Sequence, residues 1–152
     1  MNISERHIKP FFILLLISLM TGSCGVESKP IDYGSDNCAY CLMTIVDRQH
    51  AAEIVTEKGK VYKYDAIECM INHHLDKPQQ SVALYLINDY ENPGDLIDAV
   101  PATYLIHPEI KSPMGANLSG FASREAAEKR NSAHLGKIYS WDSLLTHFIN
   151  NR

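Results

Sequence analysis

The sequence predicts an α+β domain, small and mixed, built from ββα-type units with a mostly antiparallel sheet. Three observations lead there. Apolar periodicity switches from strand-like over residues 51–64 to helix-like just after Asp65. Turn residues break the chain into short segments whose order is strand, strand, helix. The length of 152 residues, with 45% hydrophobic and 21% charged, suits one domain with a core of its own.

Residues 51–56 and 60–64 read as two strands joined by Glu57-Lys58-Gly59, a hairpin signal. Asp65 then stands where an N-cap is expected, with Glu68 three residues on, as in a capping box. The helix it opens runs to about Leu75 before Pro78, with Ile67, Ile71 and Leu75 on one stripe and Cys69 and His73 on another. Residues 81–87 and 102–106 are β-branched and aromatic enough for strands. Residues 107–120 hold prolines and glycines and read as a long loop. Ser123 caps a helix expected to end near Gly136, residues 137–139 form a short strand, and Ser140 caps a last helix. In that helix Trp141, Leu144, Leu145 and Phe148 make a core-facing stripe. The pattern suggests two ββα-type halves packed sheet to sheet.

The N-terminus is read as a leader rather than as part of the fold. Arg6 and Lys9 precede an apolar run of about ten residues, Phe11 to Met20, where a membrane span needs roughly 20. Thr21-Gly22-Ser23 and then Cys24 resemble a bacterial lipobox, in which the cysteine is lipidated and becomes the new N-terminus. Residues 1–23 are thus expected to be a lipoprotein signal peptide, 24–35 a lipidated tether, and 36–152 a single domain. The implied place is the cell envelope, anchored through the lipid on Cys24. Gly25 and Val26 lack the usual inner-membrane retention signal, which points to the outer membrane, facing the periplasm. Without the leader the chain carries 12 basic and 17 acidic residues, a net charge of -5, which argues against a nucleic-acid partner.

The soft donors are unevenly placed. Cys38, Cys41 and Met43 fall within six residues, Cys69 and Met70 are adjacent, and Met114 stands in Ser112-Pro113-Met114-Gly115. Met43 and Met114 lie in expected loops, where a flexible apolar side chain gains little from burial, so their thioethers are candidates for use. Thiolate and thioether together prefer Cu(I). Cys38-x-x-Cys41 alone admits three other readings: a Zn(II) site completed by Cys69, His73 or His74, a redox pair, or an inert disulfide in an oxidising compartment. No phosphate-cradling loop, nucleophile-elbow serine or His-Glu-x-x-His appears, and the chain is not expected to be an enzyme.

Taken together, Cys38-Ala39-Tyr40-Cys41-Leu42-Met43, the strand at 51–53, Tyr64-Asp65 leading into Cys69-Met70, Pro113-Met114-Gly115, Phe121-Ala122-Ser123 and Ala126-Ala127 resemble the NosL family. Its members are described as lipoproteins that act as copper chaperones for nitrous-oxide reductase. The resemblance spans roughly residues 36–147. It implies a periplasmic Cu(I) carrier that serves apo nitrous-oxide reductase and its membrane maturation complex, with copper held within one chain or between two in a homodimer. It carries over to Cys41, Met43 and Met114 as metal-site positions, with Cys38 as a further ligand or the oxidation partner of Cys41. Cys69, Met70 and His73 are additional candidates, although ordinary exposure is the favoured reading of His73. One departure from the family pattern is Leu42, where Gly commonly precedes the Met. The rival functions are an anchored thiol-disulfide protein using Cys38 and Cys41, and an interaction module stapled by zinc or a disulfide.

Overall fold

A computed structural model describes residues 25–152; the expected signal peptide and Cys24 lie outside them. Strands β1 (Ala52–Thr56) and β2 (Val61–Tyr64) form the expected hairpin. Its turn is closed by the Gly59 amide on the Thr56 carbonyl at 2.9 Å, with Gly59 at φ +75°. Helix α1 (Ile67–Asp76) follows at once. Strands β3 (Val82–Asp89) and β4 (Asn92–Asp98) complete a four-stranded antiparallel sheet in the order β2-β1-β3-β4. A second antiparallel sheet, β6-β5-β7, is made by β5 (Thr103–Ile106), β6 (Leu118–Phe121) and β7 (Lys137–Tyr139). Helices α2 (Arg124–Arg130) and α3 (Trp141–Asn150) belong to this half. The chain therefore runs ββα in each half, as β1-β2-α1 and β5-β6-α2. No helix among the described residues is long and apolar enough to cross a membrane.

The halves share one apolar core. Tyr64, Ile67, Ile71 and Ile87 from the first are fully buried together with Tyr104, Leu118 and Leu144 from the second. They meet at Gly120 of β6, where any Cβ would overlap the Ile87 side chain of β3. Beside it, the Tyr90 amide donates to the Gly120 carbonyl at 2.9 Å. Trp141 is a packing residue, 5.2 Å from the Tyr85 ring and 6.1 Å from that of Tyr104. Such aromatic pairs contribute about 0.5–1.5 kcal/mol beyond the area they bury.

Three local expectations are corrected, and one strand, β4, lies in a stretch that carried no expectation. β4 contains Pro93-Gly94, which it accommodates as an edge strand, where a residue with no amide to donate is tolerated. The loop expected over 107–120 stops earlier, since Leu118–Phe121 pairs with β5. The helix after Ser123 ends at Arg130 rather than near Gly136. Asn131 closes the turn that follows, its side chain bonding both the amide and the carbonyl of Gly136 at 2.8 and 3.0 Å. Finally, the N-cap of α1 is Ala66, with no side-chain cap, and Asp65 is used elsewhere. Ser123 and Ser140 do cap α2 and α3, the latter reciprocally with Ser143. The second half of the stretch read as a tether lies against the sheet. Ile31 is buried, the Lys29 amide donates to Glu53, and the Asn88 side chain donates to the Tyr33 hydroxyl at 2.6 Å.

Candidate metal centre

Residues 37–44 form a knuckle closed by an isolated bridge between Asn37 and Thr44. Within it the Cys38 amide donates to the Met43 carbonyl at 2.8 Å, and the Leu42 amide to the Cys38 carbonyl at 3.0 Å. Leu42 takes φ +68°, the left-handed region, to complete the turn. The knuckle is pinned to the end of β2 by the Ala39 amide, which donates to the Lys63 carbonyl at 2.8 Å. Lys63 adds an ion pair to Asp36 at 2.6 Å. This sets Cys38 and Cys41 beside the β2–α1 junction, where Asp65 and, one turn on, Cys69 stand.

The result is one cluster. A sulfur from each of Cys38, Cys41 and Cys69 and a carboxylate oxygen of Asp65 all lie within 4.8 Å of one another. The three thiols are free. Cys38 and Cys69 are buried and Cys41 is partly open, its thiol donating to Asp65 Oδ1 at 3.4 Å.

The electrostatics favour one negative sulfur among three. Cys38 is lowered to about 6, first by the Cys69 thiol that donates to it and further by the Cys41 and Asp65 amides, which together overcome its burial. Cys69 is pushed far above the ordinary thiol range, because its proton is held by Cys38 and because it is buried. Cys41 is pushed up to about 11 by burial, with Cys38 and Asp65 adding to this and the Met43 amide opposing it. A metal entering here meets one thiolate and displaces protons from its neighbours.

The structure brings Cys69 to Cys38 and Cys41, and it adds Asp65, which the sequence presented as a helix cap. The signal for Asp65 was its position at the strand–helix boundary, four residues before Cys69. Met43 and Met114 are 55% and 42% exposed, Met43 beside the bridge that closes the knuckle and Met114 in the turn at 112–115. The Met43 amide faces the Cys41 sulfur, and the Met114 turn is fixed by the Gly115 amide on the Ser112 carbonyl at 3.1 Å. Met70 lies wholly in the apolar core.

His73 is buried rather than exposed. Its Nδ1 is 2.8 Å from the Tyr64 hydroxyl, and the rings of Tyr40, Tyr62 and Tyr64 surround it. Burial, with Lys77 nearby, depresses its basicity. His50, which follows the knuckle, turns inward, pairing with Asp47 at 3.1 Å and Ser119 at 3.2 Å.

Fold and site together define a small α+β domain with a partly open, thiol-rich cluster able to hold a metal ion at a strand–helix junction. The chain belongs to the NosL family, whose model matches residues 31–149. It is 28% identical over 159 residues to the copper-binding lipoprotein NosL of Stutzerimonas stutzeri, covering 95% of this chain and 84% of that protein. Its fold is similar to the crystal structure of the copper chaperone NosL from Shewanella denitrificans, with a TM-score of 0.67 at 21% identity over 78% of this chain and 95% of the other.

Proposed function

We propose that this protein is a Cu(I) metallochaperone of the cell envelope that supplies copper for nitrous-oxide reductase maturation, and that it is not an enzyme. In this reading residues 1–23 are removed, Cys24 carries the lipid that anchors the chain to the outer membrane, and the domain works in the periplasm. The observation that carries it is the cluster of three thiols and one carboxylate within 4.8 Å, one sulfur of which is open to solvent. Cys41 is the anchoring ligand for incoming Cu(I), and Cys38 and Cys69 close its inner side. Met43 and Met114 act as exchangeable thioether ligands. Soft sulfur donors hold Cu(I) in low coordination. A low-coordinate ion leaves room for an acceptor's ligand, so transfer proceeds by exchange rather than by release into water. Family membership and the copper-binding and copper-chaperone names of the relatives support the same reading.

A second reading has a specific observation behind it. Asp65 makes a fourth donor beside three sulfurs, a set that Zn(II) accepts in tetrahedral geometry. Anaerobic titration of the reduced protein with Cu(I) and with Zn(II), each against a competing chelator, separates the two. Tight Cu(I) at one per chain or one per dimer, with weak zinc and a loss of Cu(I) affinity in Met114→Leu, is the expected result. Tight zinc without selective Cu(I) binding would overturn the copper reading.

A further inference from the structure

The cluster accounts for Cys69 but leaves Glu68, its neighbour in the first turn of α1, without a role. Glu68 is a carboxyl group 3% exposed in the protein interior. One of its oxygens accepts the hydroxyl of Ser112, and the Ala116 amide also points at it. The other oxygen is buried with no partner. A carboxyl group held this way is a net cost to the fold.

What the group does is visible on the other side of the bond. The loop between β5 and β6 is closed at its base by the His107 amide on the Asn117 carbonyl at 3.1 Å. It turns over at residues 112–115, with Gly115 at φ +83°. Ser112 is buried and Met114 is exposed. The loop therefore has a foot fixed on α1 and a tip that carries a thioether two residues away.

We propose that Glu68 and Ser112 are positioning residues for the metal site, a latch that holds the Met114 tip beside the helix start carrying Cys69. The inference rests on the copper reading and deepens it. A thioether is a weak donor, and its contribution falls quickly if its loop must be ordered each time a metal binds. The latch removes that cost in advance. It also couples the two halves of the fold at the site, since Glu68 belongs to the first and Ser112 to the second.

The test uses the full chain in detergent, reduced and anaerobic, with Cu(I) affinity measured by chelator competition. Ser112→Ala and Glu68→Ala are each expected to weaken Cu(I) binding about tenfold, the lower end for residues that orient ligands. Glu68→Gln, which keeps an acceptor oxygen, restores affinity to within about twofold. Ser112→Ala combined with Met114→Leu is expected to be no weaker than Met114→Leu alone, because both act through one ligand. Wild-type affinity in Ser112→Ala beside a weakened Met114→Leu, or losses that simply add, would overturn the latch.

A metal-free measurement keeps the latch separate from the copper reading. Lys111 is exposed next to the foot of the loop, and tryptic cleavage after it is expected to be faster in apo Glu68→Ala, which leaves the cleaved sequence intact. A wild-type protein that binds no Cu(I) sinks the copper reading; unchanged cleavage in Glu68→Ala sinks the latch.

Discussion

Leu42 shows how a single backbone angle ties sequence to site. The knuckle needs a left-handed residue between Cys41 and Met43 so that successive amides turn toward the sulfurs, and Leu42 supplies it at φ +68° with its side chain 77% exposed. For a side chain with a Cβ that conformation costs about 1–2 kcal/mol. Glycine removes the strain but is freer in the unfolded chain, which returns roughly 0.5–1 kcal/mol. Leu42→Gly is therefore expected to stabilise the protein by about 0.5–1 kcal/mol, read as a higher urea midpoint with an unchanged slope. A midpoint at or below wild type would mean that the exposed leucine makes contacts worth more than the strain. The family's usual glycine at this place has its explanation in the same angle. Asp65 teaches the opposite lesson. Its neighbours spell a helix cap, yet its carboxylate goes to Cys41, 24 residues earlier. A local rule cannot weigh a competitor that distant, so Cys38 and Cys41 were legible as a pair while the carboxylate among the thiols was not.

At the scale of elements, strong local signals survived and weak ones were overruled by pairing. The β1–β2 hairpin and the Ser140 cap appear where periodicity and turn chemistry put them, because the partner strand is close in sequence and the cap is self-contained. β6 was hidden because Gly120 looks like the end of a loop until a neighbouring strand claims it. β1 carries a further consequence of its central place. All five of its residues are buried, Glu53 among them, with one carboxylate oxygen on the Lys29 amide at 3.1 Å and the other unpartnered. Burial raises the Glu53 carboxyl above its ordinary value, an effect that the Lys29 amide and nearby lysines reduce without cancelling. The folded state then holds this proton more tightly than the unfolded state does. Stability from this group is present below the unfolded value and falls as pH rises through the folded one. Glu53→Gln should stabilise the protein by about 1 kcal/mol at pH 7, with the advantage shrinking as the pH is lowered toward 4.5. Urea midpoints at several pH values decide it, and an advantage that grows on acidification would refute the assignment.

Across the whole molecule the cluster sits where the knuckle meets the end of β2 and the start of α1. A metal held by these side chains would add a cross-link between the knuckle and the strand–helix junction, beyond the Ala39–Lys63 backbone bond. A ligand that binds only the folded state stabilises it by mass action, about 2.7 kcal/mol when free ligand stands at 100 times the dissociation constant. For a domain of this size that corresponds to a rise in melting temperature of roughly 10 °C. Anaerobic thermal unfolding in buffered Cu(I) at that ratio should show such a shift. Cys69→Ser, measured at the same free Cu(I), should show no more than half of it, because the hydroxyl fits the space but is a poor donor to a soft ion. The comparison isolates the inner wall of the cluster, since Cys38, Cys41 and Asp65 remain in place. If Cys69→Ser keeps the full shift, Cu(I) is held by the knuckle and the thioethers alone, and Cys69 serves only to keep the Cys38 sulfur charged.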